Sequence, residues 1–204
     1  MGQYYLPYVK HGKTIKIFDN KVDGEWEGLK LMEHSYWSNS FVGQVINDLF
    51  YNKGKVCWVG DYYDESDFAQ VNCDNKQLVK EIGELVWLES SPIKKIKGKI
   101  QTSRNLSGCL LVNHTKKEFI DGDEYYQQNR WFETWEGKSY PWCINPLPLL
   151  TCTASHSGGS YYGINAHLCG TWFNDELEVV YNYEKEDLIE KGYQQFEPLF
   201  SERQ

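Results

Sequence analysis

A chain of 204 residues with 41% hydrophobic and 25% charged side chains carries the apolar material for one ordinary core and fits one domain of upper-middle size. Its 29 acidic against 21 basic residues leave a net charge of −8, with arginine only at Arg104, Arg130 and Arg203, so the clustered positive charge that displaces counterions from duplex nucleic acid is missing. There is no run of about 18 apolar residues, and Met1 to Tyr5 is not the start of a charged segment leading into an apolar one; the expectation is a cytoplasmic protein with no membrane partner.

The hairpin signal comes first: Tyr4 to Val9 alternates, Lys10-His11-Gly12-Lys13 turns, and Thr14 to Phe18 returns. Gly28 to Ser35 is a short apolar segment with polar ends. Val42, Val45, Ile46, Leu49 and Phe50 recur at helical spacing behind Asn39 or Ser40, either of which can cap a helix. Lys55 to Val59 reads as a buried strand running into Gly60-Asp61. A second helix is expected over Leu78, Ile82, Leu85 and Val86, capped by Asp74 or Asn75, although Gly83 weakens it. The basic run Lys94 to Lys99 reads as a solvated edge strand or loop.

From residue 96 onward strands are expected at Leu110 to Val112, Glu118 to Ile120 closed by an Asp121-Gly122 turn, Ile144 to Leu150, His167 to Phe173, and Leu177 to Tyr183. Residues 184 to 192 carry the cap, the apolar pair and the terminal glycine of a short helix, and the last five residues are expected to fray. With 16% aromatics, including 15 Tyr and 8 Trp, the whole points to a single α+β domain over residues 1 to 204. It should be built on a strand-rich, mainly antiparallel sheet with two to three helices.

Polar clusters sit where these strands end, and loops on rigid scaffolds concentrate function. Glu33, His34 and Asp61 supply a base, an acid and an orienting carboxylate, although neighbours along a strand point to opposite faces. Lys30 lies beside them. Asn113-His114-Thr115-Lys116 follows an apolar strand, and a hairpin loop bonded to its own backbone has the same composition. Ser157, Gly158 and Gly159 allow close backbone approach, while Tyr161, Tyr162 and Trp172 offer stacking rings; a surface loop flanked by sheet aromatics has the same look. Neither a phosphate-loop, a dinucleotide fingerprint nor a nucleophile elbow is present. The six cysteines include no Cys-x-x-Cys pair, and Cys152, His156, His167 and Cys169 have an irregular spacing for zinc, so free and mostly buried thiols, with no metal and no cofactor, are expected.

The chain resembles a family of bacterial and phage proteins that begin Met-Gly-Gln-Tyr-Tyr. The resemblance runs through Leu29 to Ser35 with Asn39, Trp58 to Tyr62, Leu111 to Lys116, Asn145 to Thr151, Gly158 to Tyr161 and Gly170 to Trp172, so it spans most of the chain. It implies one full-length domain and a phage or mobile-element setting, where small proteins that counter host defence are frequent. It brings no catalytic residue with it.

Three functions compete. The first is binding of a small polar or nucleotide-like ligand between Tyr161, Tyr162 and Trp172, with Lys30, Asn113, His114, Lys116 and the Ser157-Gly158-Gly159 backbone on its polar groups. The second is a hydrolase using His34, Glu33 and Asp61. The third is an interaction inhibitor that sets an acidic, aromatic surface on a basic host protein, because Tyr and Trp are favoured anchors.

Overall fold

The computed structural model describes residues 4–12, 14–18, 29–30, 35–60, 94–96, 104–152 and 166–199. The expected N-terminal hairpin is there: β1 (Tyr4–His11) and β2 (Thr14–Phe18) pair antiparallel, with Tyr8 opposite Ile17 and His11 opposite Thr14. Then come β3 (Leu29–Lys30), helix α1 (Ser40–Leu49) and β4 (Gly54–Gly60). Asn39 caps α1 with its side-chain oxygen on the amides of Phe41 and Val42, at 2.8 and 3.3 Å, and the helix buries Phe41, Val42, Val45, Ile46 and Leu49 on one face. His11 and Lys16 both reach the Asp48 carboxylate, tying the hairpin to this helix.

Strand β5 (Lys94–Ile96) runs parallel to β2 and ends the sheet, as the edge reading of the basic run expects. Strands β6 (Cys109–Asn113) and β7 (Glu118–Asp121) follow, then helix α2 (Gly122–Asn129). The ribbon of β8 (Trp131–Trp135) and β9 (Lys138–Trp142) precedes helix α3 (Pro146–Thr151). Strand β10 (Glu176–Tyr181), helix α4 (Lys185–Glu190) and β11 (Gln194–Gln195) complete the order.

The fold is α+β. A nine-stranded sheet runs β11-β7-β6-β10-β4-β1-β2-β5, with β3 also on β1, and it is antiparallel except at β11 with β7 and β2 with β5. Alternate residues feed opposite faces. Val56, Trp58, Leu111, Ile120 and Val179 join α1, α2 and α3 in the main core. Their neighbours Cys57 and Val59 form one smaller cluster with Tyr8, Ile17 and Phe173, and Leu110, Val112, Phe119 and Val180 form another with Leu188 of α4. No described helix is long and apolar enough to cross a membrane.

Local chemistry overrules three expectations. Residues 146 to 151 are a helix rather than part of a strand, because the Asn145 side chain accepts from Leu147 N at 3.1 Å and Pro146 presets the first turn. Asp121-Gly122 does not turn a hairpin: Asp121 caps α2 through the amides of Asp123 and Glu124, and Gly122 lies so close to Leu106 that a Cβ would sit 2.0 Å from its carbonyl oxygen. Residues 167 to 173 hold a 3-10 turn at Ala166–Leu168 and further turns instead of a strand, since Gly170 N and Trp172 N bond back to the carbonyls of Leu149 and Leu150. Four helices thus stand among the described residues, where two to three were expected; the helix expected over 74 to 86 lies outside them.

Candidate functional site

The corner built by the β6–β7 loop brings Asn113, His114 and Lys116 together. Asn113 is fully buried; its side-chain oxygen accepts from Lys116 N at 3.0 Å, and its amide donates to Asp175 at 2.7 Å. His114 Nε2 stands 2.9 Å from the Glu178 carboxylate and Nδ1 stands 2.7 Å from the Tyr193 hydroxyl. A carboxylate only accepts, so Nε2 carries a proton toward Glu178, and the Tyr193 hydroxyl is the partner of Nδ1. Burial, then the Glu178 and Glu176 charges, pushes the Tyr193 phenol up. Burial also holds the Asp175 carboxyl above the usual carboxylate range, against the Asn113 hydrogen bond and the charge of Lys116.

This carboxylate–imidazole–phenol chain has the order of a proton relay, but every member already has its partner. Lys116 Nζ donates to the Thr171 carbonyl, and the Thr115 hydroxyl accepts from Glu176 N at 2.9 Å. The arrangement clamps the β6–β7 loop to β10 and to the segment that carries Tyr193. Trp172 lies next to it and is 0% exposed. Its indole N–H donates to Glu118 at 2.9 Å and its ring packs 5.5 Å from Phe196, so among the described residues it is a core side chain.

Lys30 is placed by its backbone in β3, opposite Tyr4. His34, Glu33, Asp61, Ser157, Gly158, Gly159, Tyr161 and Tyr162 lie outside the described residues, as does His156 of the zinc spacing. All five described cysteines are free thiols, and four of them are buried.

A second feature stands on different residues. The β8–β9 ribbon forms its own two-stranded sheet, and its turn places Glu136 at φ 50° and Gly137 at φ 76°, the positive angles that match a two-residue hairpin to strand twist. Its register sets Trp131 opposite Trp142, Glu133 opposite Tyr140 and Trp135 opposite Lys138 on one face. Phe132, Pro141, Thr134 and Ser139 share the other face. Trp142 packs on Tyr36 at 4.9 Å and roots the ribbon, while Trp135 is 71% exposed, Phe132 60% and Tyr140 44%. No family model, curated protein or solved structure matches this chain.

Among the described residues, the ribbon gathers three exposed large aromatics, Phe132, Trp135 and Tyr140. Large rings on both faces of a two-stranded hairpin expose apolar area that a monomer ordinarily buries. The signal was present in the sequence: Trp131-Phe132-Glu133-Thr134-Trp135 and Lys138-Ser139-Tyr140-Pro141-Trp142 flank Glu136-Gly137. The pair lacks the Asn-Gly or Asp-Gly that usually marks such a turn.

Proposed function

We propose that the protein acts by binding another protein, with the β8–β9 ribbon as its anchor and a basic surface of a host protein as its partner. The observation that carries this reading is the exposure of Trp135 and Tyr140, 71% and 44%, which strand register sets on one face of the ribbon. Tryptophan and tyrosine bring large contact area at low entropy cost and dominate the centres of interfaces. The net charge of −8 favours a basic partner through steering and rim contacts. Cytoplasmic action against a host defence component would suit such a binder.

The ligand-binding reading has less behind it. Asn113, His114 and Lys116 are engaged with Asp175, Glu178, Tyr193 and Thr171, and Trp172 offers no free ring face.

A photo-crosslinking amino acid placed at Lys138, opposite Trp135 on the ribbon, and, separately, at exposed Tyr183 tests the proposal in host lysate. A single protein captured from position 138, captured less when irradiation is done at rising salt, and lost when Trp135→Ala is added, is the expected result. Equal capture from both positions, or capture unchanged by Trp135→Ala, overturns it. So does a nucleotide that raises Tm by the same amount in the parent and in Trp135→Ala, since a ligand at 100 times its Kd stabilises a fold by about 2.7 kcal/mol.

A further inference from the structure

Cys152 and Cys169 lie far apart in the chain but side by side in the fold. Cys152 ends α3 and is 2% exposed. Cys169 sits in the turn that follows Ala166–Leu168 and is half-buried. The two segments are laced together by Gly170 N on Leu149 O at 3.0 Å and Trp172 N on Leu150 O at 2.7 Å. The Cys152 thiol donates to the Leu149 carbonyl at 3.1 Å, the same oxygen that accepts Gly170 N, which sets Cys169 beside it.

We propose that this pair is a peroxide-oxidised dithiol, in which Cys169 is the sulfur attacked first and Cys152 resolves it to an intramolecular disulfide. The asymmetry of the site supports that division of labour: Cys169 is half-buried and is the outer sulfur, whereas Cys152 is 2% exposed. The hydrogen bond from Cys152 lowers the Cys169 thiol below its ordinary range, and the same bond, with burial, drives Cys152 well above it. The thiolate is the reactive form, and sensor cysteines pair such a thiolate with a resolving neighbour. The other described cysteines lack this setting: burial pushes up Cys57, Cys109 and Cys143, the last to about 12.

In the first step the Cys169 thiolate attacks one oxygen of a peroxide. An S–O bond forms, the O–O bond breaks, and the hydroxide that leaves takes the Cys152 proton to become water. In the second step the Cys152 sulfur attacks the sulfenic sulfur, the S–S bond forms, and the S–O bond breaks to release hydroxide, which is protonated by solvent. With hydrogen peroxide two thiols become one disulfide and two waters, and two electrons pass from the sulfurs to the peroxide oxygens. The cross-link pins the C-terminal end of α3 to the turn that carries Trp172. This site is independent of the partner proposed above.

The test is non-reducing peptide mapping of the full chain carrying Cys73→Ser, before and after hydrogen peroxide. The expected product joins the Cys152 and Cys169 peptides with the loss of two hydrogens, reverses with dithiothreitol and raises Tm. Before oxidation, Cys169 should alkylate about ten-fold or more faster than Cys57, Cys109 and Cys143. Cys152→Ser should leave a sulfenic acid on Cys169 that dimedone traps, and Cys169→Ser should leave neither product. If a Ser variant does not fold, the mapping of the Cys73→Ser protein decides alone. Linkage through other cysteines, dimedone on a cysteine other than Cys169, or no linkage at all overturns the proposal.

Discussion

Two tryptophans separated by 37 positions make opposite predictions from the same substitution. Trp135 keeps 71% of its surface, so it hides about 70 Å² of the ~250 Å² that a tryptophan can bury. At about 25 cal/mol per Å² this is an upper bound near 2 kcal/mol, and a compact denatured chain lowers it toward about 1 kcal/mol. Trp172 is 0% exposed and bonded to Glu118; its replacement by alanine leaves a cavity and an unpartnered carboxylate, and should cost about 3 to 5 kcal/mol. Urea titrations of Trp135→Ala and Trp172→Ala, followed by far-ultraviolet circular dichroism and extrapolated linearly, measure both. For partner binding the order reverses, with Trp135→Ala losing about 2 kcal/mol or more, roughly 30-fold in Kd. Equal stability losses would mean that the ribbon is a packed element, and the case for it as a presented surface would fall.

Gly122→Ala should destabilise by about 3 kcal/mol or more, because its Cβ would meet Leu106 O at 2.0 Å and that carbonyl is held by Cys109 N; a thermal melt within about 2 °C of the parent would contradict the contact. His114→Ala should cost about 1 to 3 kcal/mol by stranding Glu178 and Tyr193, and a neutral effect in urea would show that the clamp contributes nothing. Asp175→Asn keeps an acceptor for Asn113 and removes a charge that burial disfavours. Because the folded-state pKa of Asp175 is raised from 3.8, the folded chain binds more protons than the unfolded one, and stability from this group falls as pH rises through that window. The variant should therefore gain on the parent as pH rises above 3.8. A variant that loses ground over that range would mean that attraction to Lys55 and Lys116 outweighs burial.

Elements with local causes could be read from the chain. Asn39 and the spacing of Val42, Val45, Ile46 and Leu49 define α1, and short apolar runs with turn residues define β4, β6 and β7. Asp121 and Asn145 are equally local, yet in sequence they resemble parts of a turn and a strand, since a cap followed by glycine or proline looks like a loop without the helix behind it. The α+β class followed from these segments and from the aromatic content. Burial is another matter, because it is a property of what packs from far away. Trp172 and Trp135 are the same residue in similar polar and aromatic company, and only the arrival of Glu118 and Phe196 on the first, with nothing comparable on the second, separates core from candidate interface. The partners of His114 are 64 and 79 positions away, and Cys169 finds Cys152 only through the turn that bonds to α3. Caps and periodicity act within a few residues and are legible in one dimension; exposure, relay and thiol pairing exist only once the chain has closed on itself.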